Sequence, residues 1–186
     1  MKTRSLFAAL TASAAAFVFA GLVVACSTPA EGRVDAAKLD PTTFAPVSDM
    51  LLYRCGSLDC HGSKYRNFRL VGFGASRLDP SATSDGASTQ ANETAYNYQG
   101  LVALEPEKMA EVAANKGATM GELTFVRKGR GQENHKGDTR IVVGDDADKC
   151  LVSWFAGAVD QAACSRSIPA NVPHSTPTIP VDAGTD

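Results

Sequence analysis

The run Arg54-Cys55-Gly56-Ser57-Leu58-Asp59-Cys60-His61-Gly62 constrains this chain more than any other. It places two thiols close in sequence with an imidazole directly after the second, and any fold must close that short loop. Three closures compete. The thiols could pair as a disulfide, with His61 incidental. A zinc ion could take both thiolates and His61, with one more ligand such as His135 to complete a tetrahedron. Or the thiols could form thioethers to the two vinyl groups on one edge of a haem, which puts His61 beneath the iron as proximal ligand. The usual spacing for that attachment is C-x-x-C-H. The C-x4-C-H spacing found here reaches the same end if the loop bulges.

The N-terminus bears on the choice because it sets the redox compartment. Lys2 and Arg4 precede an apolar run over residues 5–24, which ends in Val23-Val24-Ala25-Cys26. A basic start, a hydrophobic stretch and a small residue before a cut describe a secretory signal peptide. The run is long enough for a membrane span on length alone, but it holds Ser5, Thr11, Ser13 and Gly21. Its end resembles a lipobox. That resemblance implies cleavage of residues 1–25, a diacylglycerol on the Cys26 thiol and attachment to a membrane. Ser27 after the cysteine favours the outer membrane, facing the periplasm or the surface. Cleavage removes Lys2 and Arg4 from 18 basic residues and none of the 20 acidic ones, which takes the net charge from −2 to −4. Nothing in that balance points to nucleic acid.

Outside the cytoplasm thiols tend to be oxidised. With Cys26 lipidated, Cys55, Cys60, Cys150 and Cys164 remain, and four cysteines allow three connectivities. If Cys55 and Cys60 close the first loop, Cys150 and Cys164 pair as the remaining disulfide. A helix over 146–159 carries the chain about 14 Å beyond Cys150 at 1.5 Å per residue. The next five residues can retrace at most about 17 Å. The bond therefore requires the chain to turn straight back at 160–163.

Residues 27–46 contain Pro29, Pro41 and Pro46 and few large apolar side chains, and read as a tether. Residues 47–53 carry Met50, Leu51, Leu52 and Tyr53, and Ser48 can cap a short helix running into Cys55. Residues 62–78 suggest a folded loop or short strand, and 79–92 a polar loop. Asn92 is a candidate cap for a helix to about 104. Pro106 opens another to about 115, ended by Gly117. A further short helix is expected over 122–128. The last helix has the clearest pattern: Asp145 as cap, Asp148 three residues on, then Leu151, Val152, Trp154, Phe155, Ala158 and Val159 on one face. Beyond 164 the chain has Pro169, Pro173, Pro177 and Pro180 among Ser, Thr and Asp, and reads as a disordered tail. The expected organisation is a signal peptide at 1–25, a tether at 26–46, one mainly α domain at 47–164 and a tail at 165–186.

A short helix, a Cys–His motif, loops and an aromatic C-terminal helix together resemble a class I cytochrome c. The strings RCGSLDCHG, NYQGLVALEPE, FVRKGRGQENHKG and DKCLVSWFAGAVD resemble bacterial lipoproteins with cytochrome c-like domains, over about residues 50–164. This resemblance implies a small helical fold with long loops, haem c bound through Cys55 and Cys60, and iron held by His61. On the far side of the iron His135 and Met120 are the candidates, since electron carriers use His or Met there. His135 is favoured. It lies in a polar loop flanked by glycine, near Arg127, Lys128, Arg130, Lys136 and Arg140, which could pair with haem propionates or dock an acidic redox partner. Asp145, Asp146 and Asp148 are better explained by helix capping than by metal binding. His174 lies in the tail and is a poor ligand candidate.

No G-x-S-x-G, H-E-x-x-H, phosphate loop or EF-hand loop is present. The expected function is single-electron transfer in the cell envelope, through a lipid anchor and a redox partner protein. A haem catalyst would need an open sixth position and a distal acid–base group, a role His135 could take. The alternative to all haem readings is a haem-free structural or interaction lipoprotein stapled by two disulfides.

Overall fold

The computed structural model describes residues 38–175. The expected signal peptide, Cys26 and the part of the tail from residue 176 lie outside the described residues. Within them the fold is mainly α: α1 (Ala45–Cys55), α2 (Ala91–Val102), α3 (Pro106–Ala114), α4 (Thr124–Gly129), α5 (Asp146–Phe155) and α6 (Gln161–Arg166), with 3-10 turns at Pro41–Thr43 and Met120–Glu122. No strand occurs among the described residues, so 62–78 is a loop throughout. None of the described helices is long and apolar enough to cross a membrane.

Helix α1 is the hub, packing against α2, α5 and α6. Val47, Met50, Leu51 and Leu52 give it a buried apolar stripe, and α5 answers with Leu151, Trp154 and Phe155. Burial of each such side chain contributes about 1.5–3 kcal/mol. Asp145 caps α5 by accepting from the Asp148 N–H at 2.8 Å. The helix ends at Phe155, four residues before the end expected from its apolar pattern. Gly157 adopts φ 80°, a left-handed conformation that glycine adopts without penalty. Its N–H donates to Trp154 O at 3.0 Å and that of Ala158 to Ser153 O at 3.0 Å, which stops the helix with its carbonyls satisfied. Val152 and Ala158 are accordingly exposed. The chain returns as α6, capped by Asp160, and this return helix brings Cys164 to Cys150 in a disulfide with a Cα–Cα distance of 4.7 Å.

Both domain borders lie further out than the proline content suggests. The tether was expected to run to Pro46, yet Leu39 and Phe44 are buried. The Phe44 ring sits 4.9 Å from that of Trp154 and 5.5 Å from that of Tyr98. The Tyr98 hydroxyl donates to Leu39 O at 2.6 Å. Pro46 stands in the first turn of α1, where its fixed φ suits a helix start. Phe44, not Ser48, precedes that helix. Ser48 is buried inside it and accepts from the Asn97 amide at 3.0 Å. At the other end α6 continues past Cys164, Ser167 and Ile168 are buried, and Arg54 donates to Ser167 O at 3.2 Å. Further on, the Ser175 N–H donates to Asp49 Oδ2 at 2.8 Å, and its hydroxyl donates to the same carboxylate. Burial pushes the Asp49 carboxyl up, and the Ser175 hydrogen bonds and His174 partly offset this. A buried carboxylate needs such partners, and the segment expected to be disordered supplies them.

The long loop between α1 and α2 has no helix of its own and is held by polar groups. Asn97 accepts from Val71 N at 2.8 Å and donates to Val71 O at 2.9 Å. Arg77 pairs with Glu93 at 2.8 Å, both side chains 3% exposed, and also donates to Ala87 O and Ser88 O. Helix α2 begins two residues earlier than a cap at Asn92 would set it: Gln90 precedes it, and Glu93 accepts from the Gln90 N–H at 3.0 Å.

Candidate functional site

Helix α1 delivers Cys55 at its last turn, and Gly56 closes it by donating to Leu52 O at 2.8 Å. The chain then doubles back so tightly that a Cβ at Gly62 would lie 1.9 Å from Gly56 O. Only glycine allows that approach. The turn fixes His61 from both sides of its backbone: its N–H donates to Cys55 O at 3.0 Å, and its carbonyl accepts from Leu70 N at 2.7 Å. Its ring Nδ1 lies 3.0 Å from Phe68 O. A carbonyl only accepts, so Nδ1 carries the proton and Nε2 is left with a lone pair for a ligand.

Facing it is His135. The two imidazole rings are parallel to within 4°, with centroids 5.8 Å apart. His135 comes from a loop whose ends are closed where Arg140 N and Ile141 N both donate to Gly129 O, at 2.8 and 2.9 Å. Ile141 is buried and anchors the far end. Gly137 lies flat against the ring: a Cβ there would sit 2.9 Å from Cε1 and 3.1 Å from Nδ1. His135 Nδ1 is shielded from solvent and has no hydrogen-bond partner. Burial, then the charges of His61, Lys128 and Arg140, lowers the His135 pKa and favours the neutral, ligand-ready imidazole.

Both rings line a cavity of about 360 Å³ with apolar walls from Leu51, Phe68, Leu104 and Phe125. Cys55 opens into the same cavity. Cys55 and Cys60 are free thiols, not joined to each other. Burial pushes the Cys55 thiol up to about 11, with Arg140 pulling the other way, so it is not a thiolate at neutral pH. Among the described residues no group of three or more His, Cys, Asp or Glu side chains is arranged to hold a metal ion, so the four candidates for a closed zinc site do not converge.

The structure thus brings together Cys55, His61 and His135, with Cys60 adjacent in the chain. Met120 is partly buried against the core in its 3-10 turn and does not line the cavity. Of the five basic residues expected near it, Lys128 and Arg140 line the cavity. Arg127 instead pairs with Glu133 at 3.0 Å, and Arg130 with Asp148 at 2.6 Å. Lys136 is exposed. Asp146 pairs with Arg166 at 3.0 Å, and His174 lies 3.8 Å from Asp49, away from the cavity. Sequence reasoning missed the Phe68 carbonyl and the apolar walls. Nothing in the Phe68 neighbourhood marks its carbonyl in advance, because the hydrogen bond depends on how the loop folds.

A second cleft of about 340 Å³ lies beside Asp49 and contains no facing ring pair or free thiol. Compared with protein-family profiles, curated proteins and solved structures, the chain matches none.

These residues fit a haem. Its plane needs a flat apolar slot, its iron two opposed nitrogens, and its vinyl edge two free thiols. The cavity offers apolar walls, two imidazoles and the Cys55 thiol, with the free Cys60 nearby in the chain but not on the lining, and the orphaned His135 Nδ1 marks a ring with no bond to other protein groups.

Proposed function

We propose that this chain is a c-type haem protein that carries single electrons in the cell envelope, tethered by lipid on Cys26. The observation that carries the reading is the pair of parallel imidazoles lining one largely apolar cavity with the free Cys55 thiol, the free Cys60 following in the same turn. Cys55 and Cys60 would hold haem covalently, His61 would be the proximal ligand and His135 the distal one. Haem supplies a one-electron ferric/ferrous couple when bound. The chain supplies everything else. The Phe68 carbonyl holds His61 in the tautomer that presents Nε2 and makes that nitrogen a stronger donor. Leu51, Phe68, Leu104 and Phe125 exclude water, which keeps the reorganisation on electron gain and loss small. Lys128 and Arg140 place positive charge where carboxylates of the cofactor can be paired. Two histidine ligands favour a lower potential than a His/Met pair. With both histidines engaged in holding the group, no position would stand open at rest, which favours transfer over catalysis.

The test is a pyridine haemochrome spectrum of the full chain, exported with a cytochrome c maturation system and extracted with acid–acetone. A c-type spectrum that survives extraction is expected, with loss of covalent haem in Cys60→Ser and His61→Ala. Absence of haem, where a control cytochrome matures, would sink the reading. Peptide mapping that then joined Cys55 to Cys60 would make the protein a disulfide-stapled interaction module.

A further inference from the structure

The two imidazoles are held very differently. His61 sits in a turn pinned by backbone bonds at both its N–H and its carbonyl, and its Nδ1 is tied to Phe68 O at 3.0 Å. His135 sits in a loop where Gly131, Gln132, Asn134, Lys136, Asp138 and Thr139 are all exposed. Within that loop its own backbone makes one hydrogen bond, from Asp138 N to His135 O at 3.1 Å. Its Nδ1 is buried and bonded to nothing.

A metal-bound histidine nearly always donates its second nitrogen to an outer partner, and loss of that partner typically costs about 10–100-fold in affinity. The partner does two things: it makes the ligating nitrogen a better donor, and it stops the ring from turning. His61 has both advantages and His135 neither. Room for movement is also present. The His135 loop borders a separate, polar cleft of about 230 Å³, lined by Glu133, Asn134 and Asp138 and by His135 itself. A displaced imidazole can turn there and gain polar partners for the nitrogen that lacks one.

We propose that His135 is an exchangeable ligand, and that the cavity side it occupies is a binding site for a small neutral diatomic ligand on ferrous haem. The inference rests on the haem reading above. The exchange is a ligand substitution: the His135 nitrogen leaves with its lone pair, the incoming molecule donates its own, and the iron keeps its oxidation state. The apolar walls of Leu51, Phe68, Leu104 and Phe125 suit an uncharged guest, and Lys128 and Arg140 on the same lining would be occupied by the carboxylates of the haem. His61, anchored through Phe68, stays bound.

Carbon monoxide is the probe, added to the full, haem-loaded chain after reduction with dithionite, with uptake followed by stopped-flow absorbance. A carbonyl spectrum is expected, and the uptake rate should level off as carbon monoxide is raised, because departure of His135 becomes limiting. In His135→Ala the levelling should vanish. Only molecules with His135 displaced can bind the guest, so the variant should gain apparent affinity by about 10-fold or more. A covalent, six-coordinate haem that forms no carbonyl complex at saturating carbon monoxide overturns the proposal and leaves the haem reading standing. A rate that rises linearly without a plateau in the unmodified protein also overturns it, because His135 is then not what gates the site. Absence of covalent haem overturns both.

Discussion

The helical base and the long loop of residues 56–90 meet at the cavity, where α1 supplies Leu51 and Cys55 and the loop supplies His61 and Phe68, yet each is held by different means. The base, made of α1, α5 and α6, is apolar: Phe44, Trp154 and Phe155 fill it, and Cys150–Cys164 ties its two C-terminal helices together. The loop has almost no regular structure and is held by Asn97 and by the buried Arg77–Glu93 pair. Hydrophobic packing is non-directional and tolerates exchange among residues of similar size. A buried polar network specifies one arrangement and fails sharply when a member is missing. His61 hangs from the second kind of support, and its position is therefore set by hydrogen bonds more than by shape.

The comparison can be broken most directly at its apolar side. Trp154→Ala is expected to cost about 3–5 kcal/mol and to lower the stability of the whole domain, read as a shift of the entire denaturation midpoint. On the polar side, Arg77→Ala leaves Glu93 buried without its partner and should cost about 3 kcal/mol or more. Here the signature is regional: amide exchange should accelerate over residues 71–90 before α5 is affected. Uniform exchange across the chain would show that the two supports are one. Acid probes the same pair. Burial raises the Glu93 carboxyl, but its hydrogen bonds from Arg77, Gln90 and Leu78 outweigh this and hold it below its ordinary value of 4.5. The unfolded chain thus binds the proton more readily, and the contribution is complete above about pH 4.5 and lost as pH falls through the folded value. A Glu93→Gln chain should show a flatter acid limb in a stability-against-pH series.

A smaller effect is expected from Cys164→Ala. Its loop is close to 15 residues, for which cross-linking contributes about 3 kcal/mol at most, and α5 and α6 remain packed in its absence. Chemical denaturation of reduced and oxidised protein checks it. The smallest is Asp145→Ala, which removes an N-cap and should cost about 1 kcal/mol. A loss as large as that of Trp154→Ala would mean that α5 depends on its cap and not on its buried face.

The base was legible in the sequence and the loop was not, for a reason visible in particular residues. Leu151, Trp154 and Phe155 recur at helical spacing, and a buried stripe leaves that mark in the chain. Cys150 and Cys164 could be paired once the others were assigned. Gly157 carried a stop signal, but Ala158 and Val159 continued the apolar pattern and masked it. By contrast, Asn97 and Glu93 look like ordinary polar helix residues, and Arg77 like a surface charge in a serine-rich stretch. Their roles depend on partners many residues away, which no local pattern encodes. At the site, Cys55, His61 and His135 could be named because their chemistry is rare, whereas Leu104 and Phe125 are common types whose place on the cavity wall follows only from the packing of α2 and α4. Phe44 and Ile168 were overlooked because prolines nearby suggested free chain.

Those two overlooked borders meet. Thr42, Thr43, Ala45 and Pro46 share one cleft with His174 and Ser175, so the strands of chain entering and leaving the domain emerge side by side. Neighbouring ends make a fold topologically closed upon itself. Joining residue 38 to residue 175 by a flexible linker that passes the Thr42 side of this cleft, and opening the chain in the 79–86 stretch, should give a circular permutant with the same interior. In such a permutant Thr42 and Ser175 would stay on the wall of one cleft, apart from the lining that carries His61 and His135.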